Sequence, residues 1–270
     1  MREILLICMS AVLLTACDNH QEFPDIAMKV GHILCTDGQV LPYANYKESN
    51  KKAVGVVFYL NRDSETEGKG YAVYLYDTAA EAFADSIGVN QGTSADVAAL
   101  DGNANTFALF HTTDASSTLA KSVFDIWSYG QSAYIPSVAQ MRLLYGVKAD
   151  VNQSIGLCGG DLLPDNPDQC WYWTSTEVKG QQTAKAWLYS VGSGVMQETP
   201  KLQAHKARAI ITINELRVLI LTGRGIYGRK QGTTGSVQDI QGSDLYLYSD
   251  GIFRVCRIIG DAGPLERHTL

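Results

Sequence analysis

The sequence lacks any uncharged apolar run near the ~20 residues that a membrane-spanning helix needs; the run from Ile4 to Leu14 is about eleven. That run is too short to span a hydrocarbon layer and is expected to be a targeting segment. It also lacks a basic face: 22 Lys and Arg stand against 28 Asp and Glu, a net charge of -6, with no run of one sign. That balance argues against nucleic acid and against electrostatic docking on anionic lipid. Histidine is scarce, and His20, His32, His111, His205 and His268 show neither His-x-x-x-His spacing nor a cysteine at metal spacing, so no zinc site is expected. There is no Gly-x-Ser-x-Gly, and no cysteine has the flanking signature of a nucleophile. The expectation is a protein that is not an enzyme and needs no metal and no cofactor, although Ser, His and Asp residues far apart in sequence escape a test by spacing.

What is present begins with Arg2, the apolar run, and Leu14-Thr15-Ala16-Cys17, small residues leading to a cysteine. Together with the polar Asp18 to Glu22 this reads as a signal peptide with a lipobox. Residues 1–16 are expected to be removed and residues 17–28 to form a tether, held on a membrane by lipid on Cys17. The globular part then lies in the cell envelope, at the outer membrane or cell surface, where disulfides persist. Cys8 leaves with the signal, and Cys35, Cys158, Cys170 and Cys256 remain. Cys158 and Cys170 bracket a loop-like stretch, and a bridge closing it would add up to about 3 kcal/mol; free thiols are the equal alternative. A Cys35–Cys256 pair is weaker, since either can be a small buried hydrophobe.

Val54 to Leu60 and Tyr71 to Tyr76 carry the β-branched and aromatic residues of strands, separated by polar residues ending at Gly70. Asp37-Gly38 marks a turn after the apolar Val30 to Cys35. Leu119, Val123 and Ile126 predict a helix over Ser116 to Trp127. Ser137 is the expected N-cap of a second helix whose apolar face is Val138, Met141, Leu144 and Tyr145, with Gly146 as its stop. Val147 to Gln169 reads as one long irregular segment, of the kind that is functional when it occurs in a compact domain. Trp171 to Thr176, Ala184 to Val191 and His205 to Ile213 read as three short antiparallel strands. In the tail, Asp244 to Arg257 reads as a hairpin about Asp250-Gly251.

Each chemical motif has a plain structural counterpart. Trp171 and Trp173 fall on one face of an alternating strand and with Trp187 and Tyr189 could stack on a sugar or grip a protein; a packed core is the better reading. Asp161, Asp165, Asn166 and Asp168 offer hard oxygen atoms to a cation, but equally make a solvated loop. Glu177, Lys179 and Gln181-Gln182 make a polar turn, and Arg208, alone in an apolar strand, calls for a carboxylate partner inside the domain. Gly223-Arg224-Gly225-Ile226-Tyr227-Gly228 matches a dinucleotide fingerprint letter by letter, but Gly232 to Gly235 cannot open the helix that motif needs. These glycines read as turns.

Asp101-Gly102-Asn103-Ala104-Asn105-Thr106, Tyr134-Ile135-Pro136-Ser137 with Met141 to Tyr145, Tyr172 to Glu177, Ala186-Trp187 and Ala207 to Ile210, in that order, resemble the DUF1566 family. That family resembles the C-type-lectin fold and is common in surface lipoproteins and fimbria-associated proteins of Bacteroidales. The resemblance implies an α+β, C-type-lectin-like domain over 29–213, two helices flanking small twisted antiparallel sheets; residues 214–270 lie outside it and read from their own sequence as a β-rich C-terminal extension. The lectin calcium signatures Glu-Pro-Asn, Gln-Pro-Asp and Trp-Asn-Asp are absent, Tyr134 stands where the family often has Trp, and the active-site pattern of the related formylglycine-generating enzymes is absent. The resulting expectation is a lipid-anchored adhesion protein presenting Trp171, Trp173, Asp161, Asp165 and Glu177 to a glycan or protein ligand. The alternative is an accessory subunit that docks other subunits of a fimbria-like surface assembly, and an extracellular enzyme acting on a polymer is a weaker third.

Overall fold

Val54 to Leu60 is apolar at almost every position because both faces of its strand are covered. The computed structural model describes residues 27–61, 69–128 and 131–214, and the backbone of 218–219, 244–249 and 252–257. The expectations for the signal peptide, Cys17 and the Gly223 to Gly228 run lie outside the described residues. In chain order come β1 (Ile33–Cys35), β2 (Val40–Leu41), α1 (Tyr43–Glu48), β3 (Ala53–Leu60), β4 (Gly70–Tyr74), β5 (Glu81–Ala82), α2 (Gly102–His111) and α3 (Thr118–Phe124). There follow β6 (Trp127–Ser128), β7 (Gln131–Ser132), α4 (Val138–Gly146), α5 (Lys148–Leu157), β8 (Trp171–Glu177), β9 (Lys185–Ser190) and β10 (Met196–Pro200). Last are β11 (Ala204–His205), β12 (Ile210–Ile213), β13 (Val218–Leu219), β14 (Asp244–Ser249) and β15 (Ile252–Arg257).

The main sheet has the order β12-β4-β3-β1-β2, all antiparallel. Alternation along β3 and β4 sends Val57, Ala72 and Tyr74 to one side, with Leu109 of α2 and Leu119, Ala120 and Val123 of α3. Val56, Phe58, Tyr71 and Val73 go to the other, with Val138, Met141 and Leu144 of α4 and Val151 and Ile155 of α5. An antiparallel sheet with one wet face would show polar residues at every second position; this one lies between two helical layers. A second sheet, β10-β9-β8, closes the ends of both cores, since Trp173 packs into the first and Tyr172 into the second.

The helix starts follow local chemistry. Ser137 Oγ accepts from the Gln140 amide at 3.3 Å while Gln140 Oε1 accepts from the Ser137 amide at 2.9 Å, a closed capping box at the start of α4. Ser137 Oγ also donates to Ala99 O at 2.7 Å, tying the loop before α2 to this corner. Gly102 opens α2 against it; an added Cβ would meet Ile135 O at 2.7 Å and Ser137 N at 2.9 Å. Ser137→Ala is expected to cost about 1–2 kcal/mol, read as a lower urea midpoint with an unchanged slope.

The α+β class, the Ser137 cap and the Asp37-Gly38 turn, with Gly38 at φ 81°, are as expected. Three details differ. Five helices are described instead of two. The segment from Val147 is not irregular throughout: Lys148–Leu157 is helical, placing Val151, Ser154 and Ile155 inward, and the irregular part is confined to 159–170. Its Asp, Asn, Ser and Gly residues have poor helix propensity, which burial of Val151 and Ile155 overrides. The third strand beside β9 is Met196–Pro200, while Ile210–Ile213 leaves for the main sheet and pairs with β4. In the tail, β14 pairs with β15 from Asp244↔Arg257 to Ser249↔Ile252, the expected hairpin, with β13 on the far side of β14.

Candidate functional site

The loop after α5 is built, not loose. Asn152 grips Leu163 from both sides, its Oδ1 accepting from the amide at 2.8 Å and its Nδ2 donating to the carbonyl at 2.9 Å. Lys148 Nζ donates to Pro164 O at 3.0 Å, Val191 O at 2.9 Å and Asp165 Oδ1 at 2.5 Å. The Asp161 amide donates to Leu75 O at 2.8 Å, attaching the loop to the end of β4. Leu162 lies over Gly156, where a Cβ would stand 3.5 Å from its Cδ2. Tyr76, just past β4, Leu157, at the end of α5, and Leu162, on the loop, are exposed at 58%, 47% and 53%.

Under this loop sits a charged centre. Arg208, wholly buried, donates from Nη1 to Asp77 Oδ1 at 2.6 Å and from Nη2 to Leu75 O at 2.9 Å and Asp161 O at 2.6 Å. Asp77 Oδ2 accepts from Lys206 Nζ at 2.7 Å and the Tyr172 hydroxyl at 3.1 Å. Burial, then the Asp77 charge, push the Tyr172 phenol well above its ordinary range. Arg208 thus has the carboxylate its sequence setting called for.

A second buried centre holds Glu177, singled out from the sequence, with two partners, Lys201 and Gln91, that were not. The register of β8 on β9 slips between Trp173↔Leu188 and Glu177↔Ala186, so a bulge inserts two extra residues. Glu177 lies four residues after Trp173, so alternation puts it on the same enclosed face, beside Lys201, which forms an ion pair with its Oε1. Lys201 Nζ also donates to Gln91 Oε1 at 2.8 Å and stands over the Phe83 ring, 5.2 Å from its centre. Glu177, Lys201 and Gln91 are all buried, and Glu177 Oε2 has no hydrogen-bond partner. Burial lowers the Lys201 ammonium below its ordinary pKa, against the pull of Glu177.

The structure therefore divides the residues singled out from the sequence. Asp161 and Asp165 are exposed on the loop, but both serve it: Asp161 Oδ2 accepts from the Asp77 amide at 3.2 Å and Asp165 pairs with Lys148. Among the described residues no group of three or more His, Cys, Asp or Glu converges as metal ligands do. Trp171 is half-buried, as is Trp187, whereas Trp173 and Glu177 are fully enclosed and offer no face to a ligand. Trp173 is held by Phe83, edge-on at 5.4 Å, and by its indole N–H donating to Glu81 O at 3.1 Å. The Cys158–Cys170 bridge is not formed; Cys35, Cys158 and Cys170 are free thiols. Cys170 Sγ packs against Ser190 Oγ at 3.1 Å, while Cys158, the C-cap of α5, has its thiol pushed up by burial and by Cys35. The Cys256 side chain lies outside the described residues.

His205 meets the Trp173 ring edge-on at 5.4 Å, and burial lowers its pKa below 6.5. An imidazole depressed on folding binds its proton more readily in the unfolded chain, so its contribution to stability is complete above the unfolded pKa and is lost as pH falls through and below it. The thermal midpoint is expected to drop as pH falls below about 6.5, and His205→Gln is expected to flatten that slope. An unchanged slope in the variant would refute the assignment.

No family model matches the chain, and no curated protein does. The DUF1566 resemblance accordingly rests on the motifs quoted above. Among solved structures, a fimbrial protein from Bacteroides ovatus shares the fold with a TM-score of 0.54 at 14% identity, over 68% of this chain and 48% of that one. This chain's match spans about half the length of that protein.

Proposed function

We propose that this chain is a subunit of a fimbria-like surface assembly and docks another protein subunit, with lipid on Cys17 as its attachment to the membrane. The observation that carries this reading is the fold it shares with the Bacteroides ovatus fimbrial protein. The exposed Tyr76, Leu157 and Leu162, at a strand end, the C-terminal end of α5 and the loop fixed by Arg208 and Asn152, supply apolar side chains backed by a rigid frame, the arrangement that protein partners use. Among the described residues no helix is long and apolar enough to cross a membrane, which leaves attachment to other means. The motifs that resemble DUF1566 serve as framework on this reading, since Ile135 to Ser137 and Tyr172 to Glu177 are enclosed. A glycan platform built on Trp173 is disfavoured for the same reason.

The test is made in the native cell with the full chain. Purified surface fibres are probed by immunogold labelling, beside a Tyr76→Ser/Leu162→Ser chain whose thermal midpoint is unchanged. Labelling of wild-type fibres that the double variant loses supports docking through this surface. Fibres without label, in cells that display the chain elsewhere on the surface, would overturn the reading.

A further inference from the structure

We propose that Lys201 and Gln91 become joined by an intramolecular isopeptide bond, formed by the chain itself with Glu177 as the proton-transfer group. The three side chains that such a reaction requires, an amine, a carboxamide and a carboxylate, meet in a site closed to water. Lys201 Nζ lies 2.8 Å from Gln91 Oε1 and is in contact with Glu177 Oε1. All three residues are 2% exposed or less. The Glu177 oxygen left without a partner is a free acceptor at the place where a proton must be held.

The positions are imposed from three directions. Lys201 is fixed by its backbone, with its amide on Ala184 O at 3.0 Å and its carbonyl receiving the Phe83 amide at 2.9 Å. Gln91 is held through Nε2, which donates to Ala115 O at 2.8 Å. Glu177 is held on the enclosed face of β8 that Trp173 also occupies. Holding reactants side by side replaces a bimolecular encounter by an effectively unimolecular one, and folding brings the amine within hydrogen-bonding distance of the carboxamide, one side-chain rotation from attack.

The chemistry balances without an outside reagent. In the dry site the Lys201 ammonium gives a proton to Glu177, leaving a neutral amine and a carboxylic acid. A turn about the Cγ–Cδ bond of Gln91 presents the carbonyl carbon to the amine, and the Nζ–Cδ bond forms. Glu177 takes a proton from Nζ and delivers one to Nε2, as a general base and then a general acid. The Cδ–Nε2 bond breaks and nitrogen leaves as ammonia, which takes up the proton remaining on Glu177 and departs as ammonium. No oxidation occurs, and the protein becomes lighter by one ammonia. The bond would tie the segment before α2 to the turn between β10 and β11, 110 residues apart in sequence.

Peptide mapping of the denatured full chain decides the matter. Trypsin cuts after Lys69, Lys121, Lys185, Lys201 and Lys206, so a free chain yields peptides 70–121 and 186–201. The joined chain yields 70–121 linked to 186–206, uncut at Lys201 and short of one ammonia. Glu177→Gln keeps both reacting groups and is expected to leave them unjoined. Gln91→Glu keeps an acceptor for Lys201, is also expected to remain unjoined, and should unfold at a lower temperature. Free peptides 70–121 and 186–201 from the folded wild-type chain would overturn the proposal, and a linked pair in Glu177→Gln would remove Glu177 from it. This result stands apart from the assembly reading, because a bond inside one chain is detected whether or not that chain enters a fibre.

Discussion

Arg208→Met is expected to lower folding stability by about 3 kcal/mol, at the low end of the roughly 3–5 kcal/mol that follows when one partner of a buried ion pair is removed. Methionine fills most of the space of the arginine stem, so the loss is electrostatic and not a cavity. It falls on three acceptors together: Asp77 Oδ1, Leu75 O and Asp161 O each lose a donor. Lys206 and Tyr172 still face Asp77 Oδ2, which places the cost at the lower end. The effect should also be local, because Asp161 is one of the points at which the 159–170 loop is fastened to β4. Urea unfolding followed by circular dichroism measures the first effect; faster amide exchange at Asp161 and Leu163 measures the second. A midpoint unchanged by Arg208→Met would show that the centre is solvated and that the loop is held by Asn152 and Lys148 alone.

The sequence made legible what depends on neighbours along the chain. Ser137 before an apolar helical face is an N-cap by local chemistry, and Asp37-Gly38 is a turn because Gly38 must take φ 81°. Even Arg208 announced a partner, since a guanidinium in an apolar strand has to be paired. The partner itself, Asp77, is 131 residues away, and nothing in local pattern selects it. Glu177 shows the limit more sharply. It reads as part of a polar turn, yet it belongs to β8 and shares the enclosed face of Trp173 four residues before it, and Lys201 and Gln91 carry no mark that they wait there. The helix over Lys148–Leu157 was hidden by the reverse effect, a polar composition stabilised by the few apolar residues that the core covers. For the candidate site, exposed Asp161 and Asp165 could be named from the loop composition, but their use in fastening that loop required the tertiary contacts.

Trp173→Ala is expected to cost about 3–5 kcal/mol, a large part of the roughly 5–15 kcal/mol that holds a domain folded. The side chain is wholly enclosed among Phe83, His205 and the first core, and its N–H satisfies Glu81 O. Removing it leaves a cavity between the two sheets and an orphaned carbonyl where β5 begins, so the pairing of β5 with β11 should weaken as well. Trp173→Phe keeps most of the ring volume and should lose about 1–3 kcal/mol, chiefly through that unmet acceptor. Trp171→Ala, at a half-buried position on the same strand, should cost distinctly less than Trp173→Ala. Circular dichroism is the right probe, because each change removes a fluorophore. The ordering carries the argument: two tryptophans on a ligand platform would tolerate truncation about equally and lose binding, whereas a core residue beside a peripheral one gives a steep difference in stability. Equal and small losses at the two positions would return Trp173 to the surface and revive the glycan reading; the steep difference would leave the aromatic strand as framework and put recognition on the Tyr76, Leu157 and Leu162 side of the domain.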